Sequence, residues 1–184
     1  MTNSPEPSER HERHERRKPL LLIDVDGPLN PYAAQPERRP AGYLTHRMAP
    51  TAWTGARPLR VWLNPEHGAE LRALAEVYEL VWATTWKGEA NEWIGPPLGL
   101  PELPFIDWPQ MHGKAPRGTF WKTQYILEYA AGRPFAWIDD DITAYDHEYV
   151  ERNHLAAALL LRVDERIGLL RPDFDALADW AAAR

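Results

Sequence analysis

The chain has 184 residues and a mass of 21.2 kDa, the size of one ordinary domain. Hydrophobic residues at 44% and charged residues at 26% exclude a wholly disordered chain, and the absence of cysteine excludes disulfide scaffolds, thiolate zinc sites and cysteine nucleophiles. A net charge of −6 argues against broad nonspecific nucleic-acid binding and leaves room only for a local basic groove. The longest wholly apolar run, 155–161, is far short of the ~20 residues of a membrane span, and no export signal is evident, so the expected compartment is the cytoplasm.

Residues 1–18 hold Ser, Pro, Glu, Arg and His with almost no apolar side chain and read as a disordered polar tail. The HERHER stretch at 11–16 is open to two readings, a metal-binding tract or a charged solvated segment. The folded part is expected to be 19–184. Residues 20–23 are continuously apolar and end at Asp24, as in a strand buried on both faces. Residues 30–63, rich in Pro, Arg and Gly, form a flap in which 43–48 and 59–63 pair as a hairpin. Asn64-Pro65-Glu66 opens a helix: a capping Asn, Pro at the first helical position, then an acid near the positive end. Leu71, Leu74, Ala75 and Tyr78 follow at helical spacing. A second buried strand is predicted at 80–83, a short helix at 90–94 stopped by Gly95-Pro96-Pro97, and a short strand at 103–106. A helix follows at 119–131 with Gly132 after its end, then strands at 134–138 and 156–163, and a closing helix at 172–183 carrying Phe174 and Leu177. Strands alternating with helices predict an α/β fold, a doubly wound, Rossmann-like parallel sheet with a small hairpin flap.

In such a sheet ligands bind beyond the carboxyl ends of the strands. Asp24, Thr84 and Asp139 each fall at such an end. Asp24 and Asp26 leave an extended chain on the same side, and two carboxylates there repel unless a cation or a shared proton lies between them. The pattern therefore points to a hard divalent cation, Mg²⁺, held by oxygen ligands. An acidic turn after a strand is the plainer reading of Asp24-Val25-Asp26-Gly27 alone, and an EF-hand fails because the later ligand positions hold Pro and aliphatic residues. Asp139-Asp140-Asp141 repeats the pattern after another apolar strand. Thr84 and Thr85 offer hydroxyls and N–H groups to a phosphate oxygen, though threonine also suits strands for its own sake. Lys122 stands at a helix start, where helix electrostatics do not ask for a cation; Lys114 and Lys87 compete with it.

Together these residues resemble the haloacid dehalogenase (HAD) superfamily. Leu-Leu-Ile-Asp24-Val-Asp26-Gly27 matches its first motif, Leu-Val-Trp-Ala-Thr84-Thr85 the second, Trp-Lys122-Thr the third and Phe-Ala-Trp-Ile-Asp139-Asp140 the fourth. A narrower likeness is to the small HAD domains associated with bacterial RNA-repair proteins. It rests on the opening from Asp24 to Asn30, the Trp82-x-Thr84-x-Trp86 motif followed by Ala90-Asn91, the Trp137-Ile-Asp-Asp140 motif, and the stretch from Leu161 to Leu169. One departure is Pro28, where the superfamily more often has Thr or Val; it is expected to stiffen the turn.

The resemblance implies a Mg²⁺-dependent phosphomonoester hydrolase working through an aspartyl-phosphate. Asp24 would be the nucleophile and Asp26 the general acid and base. Mg²⁺ would be held by Asp24, the Val25 carbonyl, Asp26, Asp139 and Asp140. Thr84 or Thr85 and Lys122 would hold the phosphoryl oxygens. Between the motifs there is no room for a large cap, so the site should be open to a large substrate such as a single-stranded nucleic-acid end. Arg38, Arg39, Arg47, Arg57 and Arg60 with Tyr43, Trp53 and Trp62 in the flap fit that substrate, or simply a soluble flap anchored by tryptophan. The rivals are a small-molecule phosphatase and a catalytically silent HAD-fold interaction module. Nothing in the sequence speaks to a protein partner or an oligomeric state.

Overall fold

The computed structural model describes residues 18–51, 53–113, 115–116 and 118–184. Of the tail expected at 1–18 only Lys18 is therefore described, and the HERHER stretch lies outside the described residues. The first apolar run forms β1 (Leu20–Ile23), buried along its whole length. The flap supplies β2 (Leu44–Met48) and β3 (Leu59–Leu63), an antiparallel hairpin that pairs Leu44 with Leu63 and Met48 with Leu59. Helix α1 (Pro65–Leu74) begins as its sequence dictates: the Asn64 side chain accepts the Glu66 N–H at 3.1 Å, and Pro65 occupies the first turn. Next come β4 (Glu79–Trp82), two short helices α2 (Glu89–Trp93) and α3 (Gly95–Leu98), and α4 (Thr123–Ala130). The chain closes with β5 (Phe135–Asp139), α5 (Ala144–Asn153), β6 (Ala158–Arg162) and α6 (Arg171–Ala182).

The main sheet has the order β4-β1-β5-β6 with every pair parallel. The period of two along β1 divides its side chains between two cores. Leu21 and Ile23 pack with Leu71 of α1, Ile94 and Leu98 beside α3, and Phe174 and Leu177 of α6. Leu20 and Leu22 pack on the other face with Ile126 of α4, Trp137 of β5 and Val150 of α5. Helices thus cover both faces, and the sheet is doubly wound. Because Ile23 is level with Trp82 and Ile138, the residues just beyond β1, β4 and β5 emerge along one edge. The hairpin turns Met48, Val61 and Leu63 into the first core, while Trp62, on its other face, joins Ala34 and Tyr43 in a small third cluster. Among the described residues no helix is long and apolar enough to cross a membrane.

Four local expectations change. Residues 95–97 follow the end of α2 as expected but also open α3, because proline is tolerated in a first turn whose N–H groups need no partner. Residues 103–106 make only an isolated bridge between Phe105 and Trp82, since Pro101 and Pro104 lack donors for a ladder. Helix α4 starts at Thr123, not 119. Helix α5 was not expected at all: within it only Asp146 and Val150 are buried, too few to trace an apolar stripe, and its start is marked by the Thr143–Asp146 capping box instead.

His67 on α1 is a buried base. Its ring lies 5.4 Å from both Tyr43 and Phe174, Nδ1 has no hydrogen-bond partner among the described residues, and burial, opposed by the Leu169 carbonyl, pushes its pKa down to about 4. Between pH 6.5 and 4 the unfolded chain therefore binds a proton that the folded chain refuses. Stability from this site is intact above pH 6.5 and falls below it, by up to about 3 kcal/mol at pH 4. Urea unfolding of wild type and His67→Gln across pH 4–8 should show this extra acid slope in wild type alone; parallel curves would contradict it.

Candidate active site

The residue after β1 is Asp24, whose N–H bonds the Ile138 carbonyl at 3.0 Å and so continues the sheet by one step. Its Oδ1 accepts the Val25 N–H at 2.8 Å, and its Oδ2 lies 2.9 Å from the Lys122 ammonium. Asp139, the last residue of β5, is fully buried; its Oδ2 accepts from Lys122 at 2.8 Å and its Oδ1 from the Asp141 N–H at 3.0 Å. Lys122, at the head of α4, is only 2% exposed. Burial alone would lower its pKa, but the carboxylates of Asp139 and Asp24 outweigh that and hold it above the ordinary lysine range. The acids move the other way. Burial raises Asp24 against the pull of Lys122, helped by nearby Asp26, and burial pushes Asp139 up to about 7. Asp140 is pushed up to about 6 by burial and by Asp139.

Asp24, Asp139 and Asp140 each bring a carboxylate oxygen within 4.8 Å of the others. Three carboxylates against one ammonium leave the ionised cluster two positive charges short, a repulsion that adds to burial, the larger cause, in raising the acids. An all-oxygen set with this deficit suits a hard divalent cation such as Mg²⁺. Gly27 makes room for the Asp140 carboxylate: its φ is +92°, and a Cβ there would sit 2.5 Å from the Asp140 Cγ.

Two expected metal ligands do not join the cluster. Asp26 has both oxygens engaged elsewhere, Oδ1 by Asn30 Nδ2 at 2.7 Å and Oδ2 by Trp86 Nε1 at 2.9 Å. The Val25 carbonyl accepts N–H groups from Leu29 at 3.0 Å and Asn30 at 2.8 Å, which occupies both of its lone pairs. The threonines also separate. Thr84 is fully buried, with its carbonyl accepting from Trp108 Nε1 at 2.8 Å, whereas Thr85 lines the cavity above the acids. Of the rival lysines, Lys87 pairs with Asp107 at 2.7 Å and Lys114 lies outside the described residues.

The cavity measures about 610 Å³ and brings Asp24, Asp26, Lys122 and Asp140 together with Asn30, Tyr32, Arg60, Phe120 and Trp121. Several of its supports carried no functional signal in the sequence. Asn30 and Trp86 stand in recognisable motifs, but their common partner Asp26 is visible only in three dimensions. Tyr32 donates to Asp140 Oδ2 at 3.2 Å, and burial and that carboxylate push its hydroxyl up to about 12. Buried Asp146 accepts from the Phe120 N–H at 2.8 Å, the Thr123 hydroxyl at 2.5 Å, and the Thr143 N–H and hydroxyl at 2.8 and 2.7 Å. It therefore ties the Phe120 backbone and the Thr123 side chain, on the two sides of Lys122, to the start of α5. The flap aromatics differ from the expected stacking platform: Tyr43 and Trp62 are buried, and only Trp53 is exposed.

A family model described as the HAD domain in Swiss Army Knife RNA repair proteins matches residues 20–174. The chain belongs to this family. Neither a curated protein nor a solved structure matches it. The match runs from the start of β1 into α6 and so contains all of the acids and Lys122. Membership supports a phosphatase-like role for this HAD domain, an association with RNA repair, and the use of Mg²⁺ general to HAD proteins.

Cation binding requires the cluster to lose its protons, so Mg²⁺ affinity should rise between pH 5.5 and 8, the window set by Asp140 near 6 and Asp139 near 7. In thermal melts of EDTA-treated protein, added Mg²⁺ should raise the midpoint more at pH 8 than at pH 5.5. Asp139→Asn should abolish the rise; an equal rise in that variant would place the cation elsewhere.

Proposed function

We propose that this HAD domain is a Mg²⁺-dependent phosphomonoesterase acting through an aspartyl-phosphate on Asp24. The observation that carries the reading is the different treatment of two acids on one loop. Asp24 sits with Lys122 in the cation-seeking cluster, while Asp26 is held away from it by two neutral donors. That is the division of labour between a nucleophile and an acid–base group.

In the proposed reaction an Asp24 oxygen attacks phosphorus as the bond to the leaving oxygen breaks, and Asp26 delivers a proton to that oxygen. Asp26 then takes a proton from water, whose oxygen attacks the phosphorus of the aspartyl-phosphate. The bond to Asp24 breaks, and phosphate and the free carboxylate are released. Lys122 spends two of its three N–H groups on Asp24 and Asp139, leaving one for a phosphoryl oxygen. Thr85 on the cavity wall is the better placed of the two threonines for another. Mg²⁺ would be held by Asp24, Asp139 and Asp140 and would supply positive charge to the phosphoryl oxygens. A silent interaction module is the weaker reading, because it would not need both acids set in separate, fully partnered environments. The open cavity and the family's RNA-repair association favour a nucleic-acid end over a small metabolite.

Phosphate release from aryl and alkyl phosphates with Mg²⁺, and its loss in EDTA, tests the reading. Asp24→Asn should abolish turnover. Asp26→Asn should slow it by about 10²–10⁴-fold, more for the alkyl ester, whose leaving oxygen needs the proton. Trp86→Phe should have a smaller effect of the same kind, steepening the dependence on the leaving group. Full activity in Asp24→Asn, or hydrolysis indifferent to EDTA, would overturn the mechanism.

A further inference from the structure

We infer that the hairpin and the cavity wall form a subsite for a polynucleotide end, holding the terminal nucleotide against the cavity rings and the next phosphodiester against Arg60 and Arg47. This rests on the phosphomonoesterase reading above and names the substrate class of the same site.

The first observation is a like-charge pair. Arg47 and Arg60 are directly opposite on β2 and β3, so their side chains leave the hairpin on the same face. Like charges at such a position destabilise a hairpin. Among the described residues neither arginine has a carboxylate within ion-pair distance, although the chain as a whole carries a net charge of −6. An anion between them would relieve the repulsion.

The second observation is that Arg60 is oriented. Its guanidinium lies 3.8 Å from the Trp62 ring centre, and it lines the same cavity as Asp24 and Lys122. Trp62 is itself held, its Nε1 donating to Thr45 Oγ1 at 3.0 Å and its backbone N–H to Asn30 Oδ1 at 3.0 Å. The same Asn30 amide donates to Asp26. Through its contact with the Trp62 ring, and through the two hydrogen bonds of Asn30, the arginine is linked to the acid at the reacting centre.

The third observation is size and lining. A phosphoryl group fills little of about 610 Å³, a volume in the ~300–1,000 Å³ range of pockets for whole organic ligands. Phe120, Trp121 and His112 line the same cavity. A phosphomonoester at Lys122, a flat ring beside it and a second anion at fixed reach describe a terminal nucleotide and its phosphodiester. A phosphoserine peptide offers no ring beside the phosphate, and a phosphotyrosine peptide offers the ring without an obligatory second anion.

The test uses the full chain with Mg²⁺ and six substrates: single-stranded tetranucleotides phosphorylated at the 3′ or the 5′ end, the two matching mononucleotides, a phosphopeptide and an aryl phosphate. One of the two tetranucleotides should exceed its mononucleotide in kcat/KM by about tenfold or more, and the preference should fade with added salt. Arg60→Ala should lower the ratio of tetranucleotide to aryl phosphate kcat/KM by about tenfold, Arg47→Ala by less, and Arg60→Lys, which keeps the charge and loses the flat stack, by an intermediate factor. Equal use of mononucleotide and tetranucleotide, preference for the phosphopeptide, or an unmoved ratio in an Arg60→Ala protein with wild-type melting would overturn the subsite. Anisotropy titration of labelled phosphorylated tetranucleotide into Asp24→Asn protein reads the subsite without turnover. There, added Arg60→Ala should weaken binding about tenfold, and an unchanged affinity would overturn the proposal. No release from any substrate, with that binding loss intact, would overturn the phosphatase reading and leave the subsite standing.

Discussion

The buried ammonium of Lys122 between Asp24 and Asp139 holds three parts of the chain to one point. Each partner comes from a different element: the end of β1, the end of β5 and the head of α4. Burying a lysine without carboxylates would cost several kcal/mol, and burying the carboxylates without the lysine would cost at least as much. None of the three can therefore leave without stranding the others. The arrangement is a mutual constraint more than a source of net stability, and it sets the position of every other group in the cavity.

The parallel sheet makes the constraint possible. Register brings the carboxyl ends of β1 and β5 level, so Asp24 and Asp139 arrive side by side without a special loop. Lys122 has no such guarantee, because it follows a long irregular connection. Asp146 provides it by gripping Phe120 on one side and Thr123 on the other. The second half of the site is organised differently. Asp26 is held by a tryptophan from the loop after β4 and by an asparagine from its own loop, both uncharged. One acid is placed by charge, the other by neutral hydrogen bonds, on residues two apart.

Much of this was legible in the sequence because it depends on short-range rules. Continuous apolar runs marked β1, β4, β5 and β6, and Asn64-Pro65-Glu66 marked α1. The acids stood out as candidates because they follow apolar strands, and Lys122 because it stands at a helix start where the third motif of the resemblance has its lysine. What stayed hidden were partnerships across the fold. Nothing in the spacing of Trp86 or Asn30 indicates that both point at Asp26, and α5 lacks the apolar stripe that would reveal a helix. Tyr43 and Trp62 were read beside the flap arginines as possible stacking surfaces, yet both are interior. An aromatic in a loop rich in Pro and Arg carries no local mark of which way it faces.

Asn30 gives the site a mechanical property. Its amide joins the backbone of β3 to the Asp26 carboxylate, one hydrogen bond on each side. The hairpin therefore cannot swing as an independent door, because lifting it either drags the acid out of line or leaves the acid short of a donor. Traffic into the cavity must be handled by side chains at its rim, with the strands behind them standing still. A domain built this way can exchange what it admits by changing a few rim residues, but it cannot acquire a moving lid on this hairpin without first rebuilding the support of its own acid.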